Sequence, residues 1–214
     1  MRLIVTRPQH DVTTRYISSW AEEIIAFAQQ KNVDIIDLLK DKANRNELES
    51  RIKKLMPKLI FLNGHGSDDS VAGHNNETLV KARENHDLLK GKITYSLSCD
   101  SGRVLGPMVA ANEDTVYIGY QDEFIFVFDK NYISKPMLDP RAKPFMESSN
   151  QLMISLLKGH EASESSNRSK NVFRKKYTEL LASTTDVDSL QAAQFLWWNM
   201  KNQVCLGNEL AGAS

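Results

Sequence analysis

Short apolar runs alternate with stretches of helical periodicity along the first part of this chain. The apolar runs of strand length fall at 3–5, 33–37, 58–63, 92–98 and 115–120. Between the first two runs, residues 11–31 place large apolar side chains on one helical face, from Tyr16 to Phe27. Alternating strands and helices are typical of a parallel sheet that helices cover on both sides. We therefore predict an α/β fold, a three-layer sandwich with a mostly parallel central sheet.

Weaker patterns predict the remaining elements of the first 130 residues. Helices are predicted from about residue 44 to 55, from 77 to 90 and from 102 to 112. Segment 124–128 is entirely apolar and rich in aromatic residues. That composition favours a strand or the wall of a site over a helix.

The last third of the chain predicts a helical extension. Residues 129–144 are rich in proline and turn residues and indicate a connection. Helices are predicted over 147–157, 172–182 and 186–204. Thr185 begins a Thr-x-x-Asp sequence that resembles a capping box for the last helix, and the polar stretch 159–170 predicts a mobile loop or bend. We expect residues 131–214 to pack as an extension on the same domain as residues 1–130.

Composition narrows the classes of function. The chain has 27 Lys and Arg residues and 27 Asp and Glu residues, so its overall charge gives no reason to expect nucleic acid or an acidic membrane as a partner. The sequence has neither a Gly-x-Gly-x-x-Gly motif nor a Walker loop, which are the usual signs of nucleotide binding. No apolar run has the length of a signal peptide or a membrane span. Two cysteines are too few for a disulfide framework, so we predict a reduced, cytoplasmic setting.

Candidate chemistry lies where two of the predicted strands end. The apolar run 58–63 is followed by His65, and the run 92–98 is followed directly by Cys99. Side chains just past the carboxyl ends of parallel strands meet at one edge of the sheet, where such folds place their sites. An imidazole beside a thiol can take its proton and later protonate a leaving group. The sequence therefore predicts a catalytic pair, with Cys99 as the nucleophile and His65 as the acid and base.

Each of these residues also has a simpler interpretation. A single Cys after a strand is commonly a small buried residue, and a single His in a loop is commonly a polar surface residue. A metal site is another alternative, because Asp68, Asp69 and His74 follow His65 and offer ligands for zinc or manganese. No short repeated ligand spacing supports that site, so we predict neither a metal nor a cofactor. The second thiol, Cys205, falls in the predicted last helix without a nearby His, which indicates an inert packing role.

The order of these motifs resembles the caspase-like cysteine peptidases of clan CD. One apolar strand leads to His65-Gly66, and another leads to Cys99 within the sequence Leu-Ser-Cys-Asp-Ser-Gly. A cysteine followed by an acidic residue, then Ser or Thr, then Gly resembles the CHAT branch of that clan. The Gln-Ala-Cys-x-Gly sequence of the caspases themselves is absent. The resemblance covers residues 1–130 and implies a caspase-like catalytic core and a thiol endopeptidase that acts through an acyl-enzyme.

The same resemblance implies roles for residues around the pair. It implies that the N–H groups of Gly66 and Cys99 bind the developing oxyanion. The strand after the cysteine and the loop beyond it would line the substrate pocket. The pocket residues would then be Asp100, Tyr120, Asp122 and Glu123. A carboxylate of Asp122 or Glu123 at the pocket floor would select Arg or Lys, and the alternative is that both are solvated turn residues. Asp100 either helps to shape the pocket or caps the helix that follows it.

Regulation is also implied, because members of this clan are commonly inactive until a signal, a cleavage or a partner orders the site loops. Small members are linked to defence or regulated cell death. The resemblance therefore implies a protein or peptide substrate and an activating partner, with 129–145 and 159–171 as candidate segments for ordering or self-cleavage. The rival hypothesis is a non-catalytic, doubly wound binding module in which Cys99 is inert and the C-terminal helices contact a partner.

Overall fold

A six-stranded sheet organises the chain in the computed structural model, which describes residues 1–183 and 187–213. The strands are β1 (Arg2–Arg7), β2 (Asp34–Leu39), β3 (Leu59–Asn63), β4 (Ser70–Ala72), β5 (Thr78–Lys81), β6 (Ile93–Leu97), β7 (Val116–Tyr120) and β8 (Gln203–Gly207). The α-helices are α1 (Val12–Gln30), α2 (Arg45–Leu55), α3 (Leu105–Ala110), α4 (Lys143–Leu157), α5 (Ala162–Ser183) and α6 (Val187–Asn202). Strands β4 and β5 form a separate hairpin.

The sheet is parallel except at one edge. Its strand order is β2-β1-β3-β6-β7-β8, and β8 runs antiparallel to β7. The central strands β3 and β6 pair from Leu59 with Ile93 to Asn63 with Leu97. Both strands are buried along their whole length, as expected of parallel strands covered on two sides.

Alternating side chains divide the core into two layers. Leu59 and Phe61 of β3 belong to a cluster that includes Trp20 of α1 and residues of α4. Ile60 and Leu62 point to the opposite face, into a cluster with residues of α2, α3 and the β4–β5 hairpin. A strand places successive side chains on opposite faces, so each inner strand contributes to both layers. The predicted α/β three-layer sandwich with a mostly parallel sheet is confirmed.

The C-terminal third is tied to the first helix by a buried carboxylate. Asp139 is fully buried and accepts hydrogen bonds from the Tyr16 hydroxyl and from the backbone N–H groups of Asp129, Arg141 and Ala142. Further along, β8 supplies the last strand of the sheet, and α4, α5 and α6 share a third apolar cluster.

Several local predictions are wrong. The predicted helix 77–90 is strand β5 followed by a short 3₁₀ turn, and the predicted mobile stretch 159–170 is largely the first half of α5. The last helix ends at Asn202, so Cys205 lies in β8 and not in a helix. Segment 124–128 is not a helix, as predicted, and it is not a strand either, which leaves the wall of a site as the open alternative. The proposed capping box at Thr185 falls outside the described residues.

None of the helices within the described ranges combines the length and apolar character that crossing a bilayer requires.

Candidate active site

Loops from four neighbouring strands meet at the carboxyl edge of the sheet. Strands β1, β3, β6 and β7 are parallel and adjacent, so the segments 8–11, 64–67, 98–102 and 121–124 follow them at the same edge. The register pair of Asn63 and Leu97 ends β3 and β6, and His65 and Cys99 each lie two residues beyond it. Strand pairing therefore brings the two loops with the predicted catalytic residues together.

The imidazole of His65 is anchored by Asp11, a residue that the sequence did not single out. Nε2 of His65 lies 2.5 Å from Oδ2 of Asp11. Burial by itself would raise the pKa of Asp11, but hydrogen bonds from His65 and Thr14 outweigh it and bring this pKa to about 2. A carboxylate accepts a hydrogen bond from Nε2–H, so Nδ1 is the nitrogen of His65 that remains available as a base.

Helix α1 fixes the position of this carboxylate. Asp11 is the N-cap of α1, and its Oδ1 accepts hydrogen bonds from the Thr14 N–H at 2.7 Å and the Thr14 hydroxyl at 2.8 Å. The Thr14 hydroxyl in turn accepts from the Asp11 N–H, which completes a capping box. With Oδ1 committed to the helix end, Oδ2 faces His65.

Buried serines shape the turn that carries Cys99. The hydroxyl groups of Ser96 and Ser98 lie 2.7 Å apart, and Ser98 donates to Ser101 at 2.9 Å. Asp100 adopts a left-handed conformation with φ of +58°, which Asp tolerates better than most residues. The chain therefore turns sharply after Cys99 and enters the segment before α3.

Gly66 lies against the backbone of Cys99. A Cβ atom on Gly66 would come within 2.2 Å of the Cys99 carbonyl oxygen and 3.0 Å of the Cys99 nitrogen, so this approach requires glycine. Within the described part of the chain, neither the Gly66 N–H nor the Cys99 N–H donates a hydrogen bond. Two adjacent amides without an acceptor are the feature that an oxyanion site needs.

The surroundings of the Cys99 thiol raise its pKa. Burial raises its pKa, a hydrogen bond from the backbone of Phe124 opposes that effect, and the carboxylates of Asp100, Glu123 and Asp122 raise the pKa further. Among the described residues, no hydrogen bond joins the thiol to His65. The surroundings of Cys99 therefore favour the neutral thiol over the thiolate.

The predicted pocket residues occupy different environments. Asp122 is half-buried and Glu123 is exposed, whereas the side chain of Tyr120 is fully buried, with its hydroxyl 3.1 Å from that of Tyr95. Asp122 lines a depression of about 510 Å³ together with Gly102, Arg103 and Pro107. A basic side chain in this depression would meet the Arg103 cation as well as a carboxylate.

Segment 121–128, which lies over Cys99, is held by helix α6. Trp198 donates from Nε1 to the Glu123 carbonyl, and the side-chain amide of Asn199 exchanges two hydrogen bonds with the backbone of Ile125. The same helix and α5 form an apolar groove of about 490 Å³ that Ile125 also lines. The backbone beside the thiol is thus coupled to the C-terminal helices.

The metal ligands considered from the sequence do not come together. The side chain of Asp69 accepts from Ser67 and lies near Lys81, while the carbonyl of Asp68 accepts from the start of α3. His65 instead groups with His10 and Asp11: within the described ranges, these three side chains each offer a ligand atom, and the atoms lie within 4.8 Å of one another.

The positions of His10 and Asp11 in the sequence also indicate that they lie at the site. They follow the first predicted strand, and the rule that placed His65 and Cys99 at the sheet edge applies equally to that strand.

Comparison of the chain with protein-family models and with curated protein sequences finds no match.

Proposed function

We propose that the protein is a cysteine endopeptidase in which Cys99 is the nucleophile, His65 is the general base and acid, and Asp11 orients His65. The observation that carries this proposal is the register of β3 and β6, which sets the His65 loop in backbone contact with the Cys99 turn. The resemblance of the two motifs to the caspase-like peptidases of the CHAT branch supports the same assignment.

We propose that proton transfer accompanies the attack, because the pKa of Cys99 is raised. Nδ1 of His65 takes the thiol proton as the sulfur bonds to the substrate carbonyl carbon, because the neutral thiol is a weak nucleophile. The oxyanion accepts from the N–H groups of Gly66 and Cys99, each worth about 3 kcal/mol in comparable sites. The protonated His65 then donates to the leaving amine, and water hydrolyses the thioester. Before substrate binds, the hydrogen bond between nucleophile and base is often long or poorly aligned.

Electrostatics at the thiol favours a cationic substrate. Three carboxylates, those of Asp100, Glu123 and Asp122, raise the pKa of Cys99. An Arg or Lys side chain bound among them would offset their charge and so make the thiol easier to deprotonate. We therefore propose a preference for a basic residue before the scissile bond. Replacing Asp122 by Asn together with Glu123 by Gln should raise KM for such substrates more than for neutral ones.

A profile of peptide-library cleavage tests the proposed activity. Wild type should cleave, Cys99→Ala should not, and His65→Ala should lose about 10²- to 10⁴-fold in rate. Cys205→Ala is the matched control, since Cys205 lies in β8 away from His65, and it should cleave like wild type. Equal cleavage by wild type and Cys99→Ala would contradict the proposal. A chain that never cleaves and whose Cys99 labels no faster than Cys205 would favour the binding-module hypothesis.

A further inference from the structure

We propose that His10, Asp11 and His65 form a Zn²⁺ site, and that zinc bound there switches off the peptidase by taking Nε2 of His65. The second half of this inference depends on the proposed function, whereas the first half does not.

The three ligand atoms lie within 4.8 Å of one another, a range that a tetrahedral zinc ion can draw together. Oδ2 of Asp11 lies 2.5 Å from Nε2 of His65 and 3.5 Å from Nε2 of His10. Zn–N and Zn–O bonds of 2.0–2.1 Å separate neighbouring ligand atoms by about 3.3 Å. The contact between His10 and Asp11 already fits that separation, and the His65 contact has to open by roughly 0.8 Å.

Surrounding residues hold two of the three ligands in place. Thr14 binds the other oxygen of Asp11, which is the kind of support that metal-binding carboxylates usually have. The ring of His10 packs edge-on against the rings of His65 and His74, and only 11% of its side chain is exposed. Its Nδ1 is buried and has no hydrogen-bond partner among the described residues, whereas its Nε2 faces the side-chain oxygens of Asn76 and Asp11.

The donor set favours zinc over calcium or magnesium. Two imidazole nitrogens and one carboxylate oxygen suit Zn²⁺, whereas the harder cations prefer oxygen ligands alone. Three protein ligands leave a fourth position for water. Nε2 of His10 lies 3.2 Å from the Asn76 side-chain oxygen, and zinc would replace this hydrogen bond.

Zinc at this site would be inhibitory because of the proton on His65. The proposed base is Nδ1, which requires the ring proton to be on Nε2 and shared with Asp11. Zinc uses the lone pair of Nε2, so the neutral ring must then carry its proton on Nδ1. The imidazole can no longer accept the thiol proton, although Cys99 itself is untouched.

Zinc binding can be measured directly on the full chain by competition with a chromophoric chelator. We expect wild type to bind one Zn²⁺, and His10→Ala and His65→Ala each to bind at least about 100-fold more weakly, since even outer partners of a metal contribute 10- to 100-fold. Cys99→Ala and His160→Gln should bind like wild type, because neither residue is a ligand. Circular dichroism confirms that each variant is folded.

Three results would overturn the site: no binding by wild type, unchanged binding by folded His10→Ala and His65→Ala, or loss of binding in Cys99→Ala. The last result would place zinc on the thiol.

Peptide cleavage separates the two proposals. Zinc should inhibit wild type over the concentration range in which it binds, and a chelator should restore cleavage. If zinc binding depends on His10 but zinc does not inhibit cleavage, the proposed inhibition by zinc is wrong. If the chain binds zinc at His10 but has no peptidase activity, the proposed function is wrong and the zinc site stands. If the chain cleaves peptides but binds no zinc, the zinc site is wrong and the proposed function stands.

Discussion

Asp11→Asn and Asp11→Ala should have opposite rankings for stability and for activity. Asn keeps the N-cap of α1, because Asn and Asp cap helices about equally well, whereas Ala costs about 1 kcal/mol. In a chain of 214 residues that loss lowers Tm by roughly 2–4 °C. On stability alone, the Ala variant is therefore expected to be the more damaged of the two.

Activity should instead depend on which ring nitrogen of His65 carries the proton. The N–H and hydroxyl of Thr14 donate to the oxygen at the Oδ1 position, so an Asn at residue 11 must turn its NH₂ group toward His65. Nε2 must then accept that hydrogen bond, and the ring proton moves to Nδ1. This change removes the base from the thiol, and the corresponding exchange in a Ser-His-Asp triad costs about 10⁴-fold. Both side chains here are 39% exposed, so water competes and we expect a loss of at least about 100-fold.

For catalysis, the Ala variant loses the hydrogen bond between His65 and Asp11, and it introduces no NH₂ group that would move the proton on His65. A hydrogen bond to a charged group contributes about 1.5 kcal/mol at the lower end, which corresponds to roughly tenfold in rate. The assay is kcat/KM on the best library peptide, with a chelator present and with thermal unfolding in parallel. Asn44→Ala, which removes the N-cap of α2, is the control for cap loss away from the site. Equal kcat/KM for the two Asp11 variants would refute the assigned tautomer.

Four further outcomes are expected. Gly66→Ala should abolish cleavage and cost about 1–3 kcal/mol of unfolding free energy, because the new methyl group meets the Cys99 carbonyl; an active, equally stable variant would contradict the close approach. Asp139→Ala should lower Tm by at least about 6 °C, since it leaves several buried donors without an acceptor, and an unchanged Tm would argue against that network. Burial raises the pKa of both thiols, to about 12 for Cys205, so iodoacetamide labelling should accelerate as pH rises, with Cys99 ahead of Cys205. Glu123→Gln should lower the pKa of Cys99 and speed its labelling at pH 8, and an unchanged rate would show that this carboxylate does not act on the thiol.

The sheet and the edge that carries the candidate site follow from short-range sequence patterns. The strands that carry His65 and Cys99 are continuous apolar runs, and parallel pairing places their ends together without further information. The contact between Asp11 and His65 joins residues 54 positions apart. In sequence, Asp11 resembles an ordinary helix cap, which it also is.

The wrong predictions of local structure have physical causes that lie outside the local sequence pattern. The first half of α5 is polar, yet Ser165, Ser166 and Ser169 are buried, and the last two bond to Gln203 and to the Ser148 carbonyl. Small hydroxyl side chains allow helices to pack closely without an apolar stripe. Just after β5, the side chain of Asn85 accepts from the Lys81 N–H and donates to the Leu79 carbonyl, which stabilises a hairpin in a helix-prone sequence.

Strand β8 was missed for a different reason. Residues 203–207 continue a helical pattern, but the outer side of β7 is an open row of backbone groups, and β8 pairs with it from Val116 to Tyr120. Tertiary pairing overrides local propensity at such an edge.

The most direct test of the proposed catalytic pair is covalent capture of Cys99 by a peptidyl acyloxymethyl ketone with Arg at its reactive end. Intact mass and peptide mapping would report the rate and the labelled residue in wild type, His65→Ala and Cys205→Ala. We predict one label per chain, on Cys99, forming at least about tenfold more slowly in His65→Ala and unchanged in Cys205→Ala. Labelling of Cys99 that is indifferent to His65, or no faster than labelling of Cys205, would contradict the account.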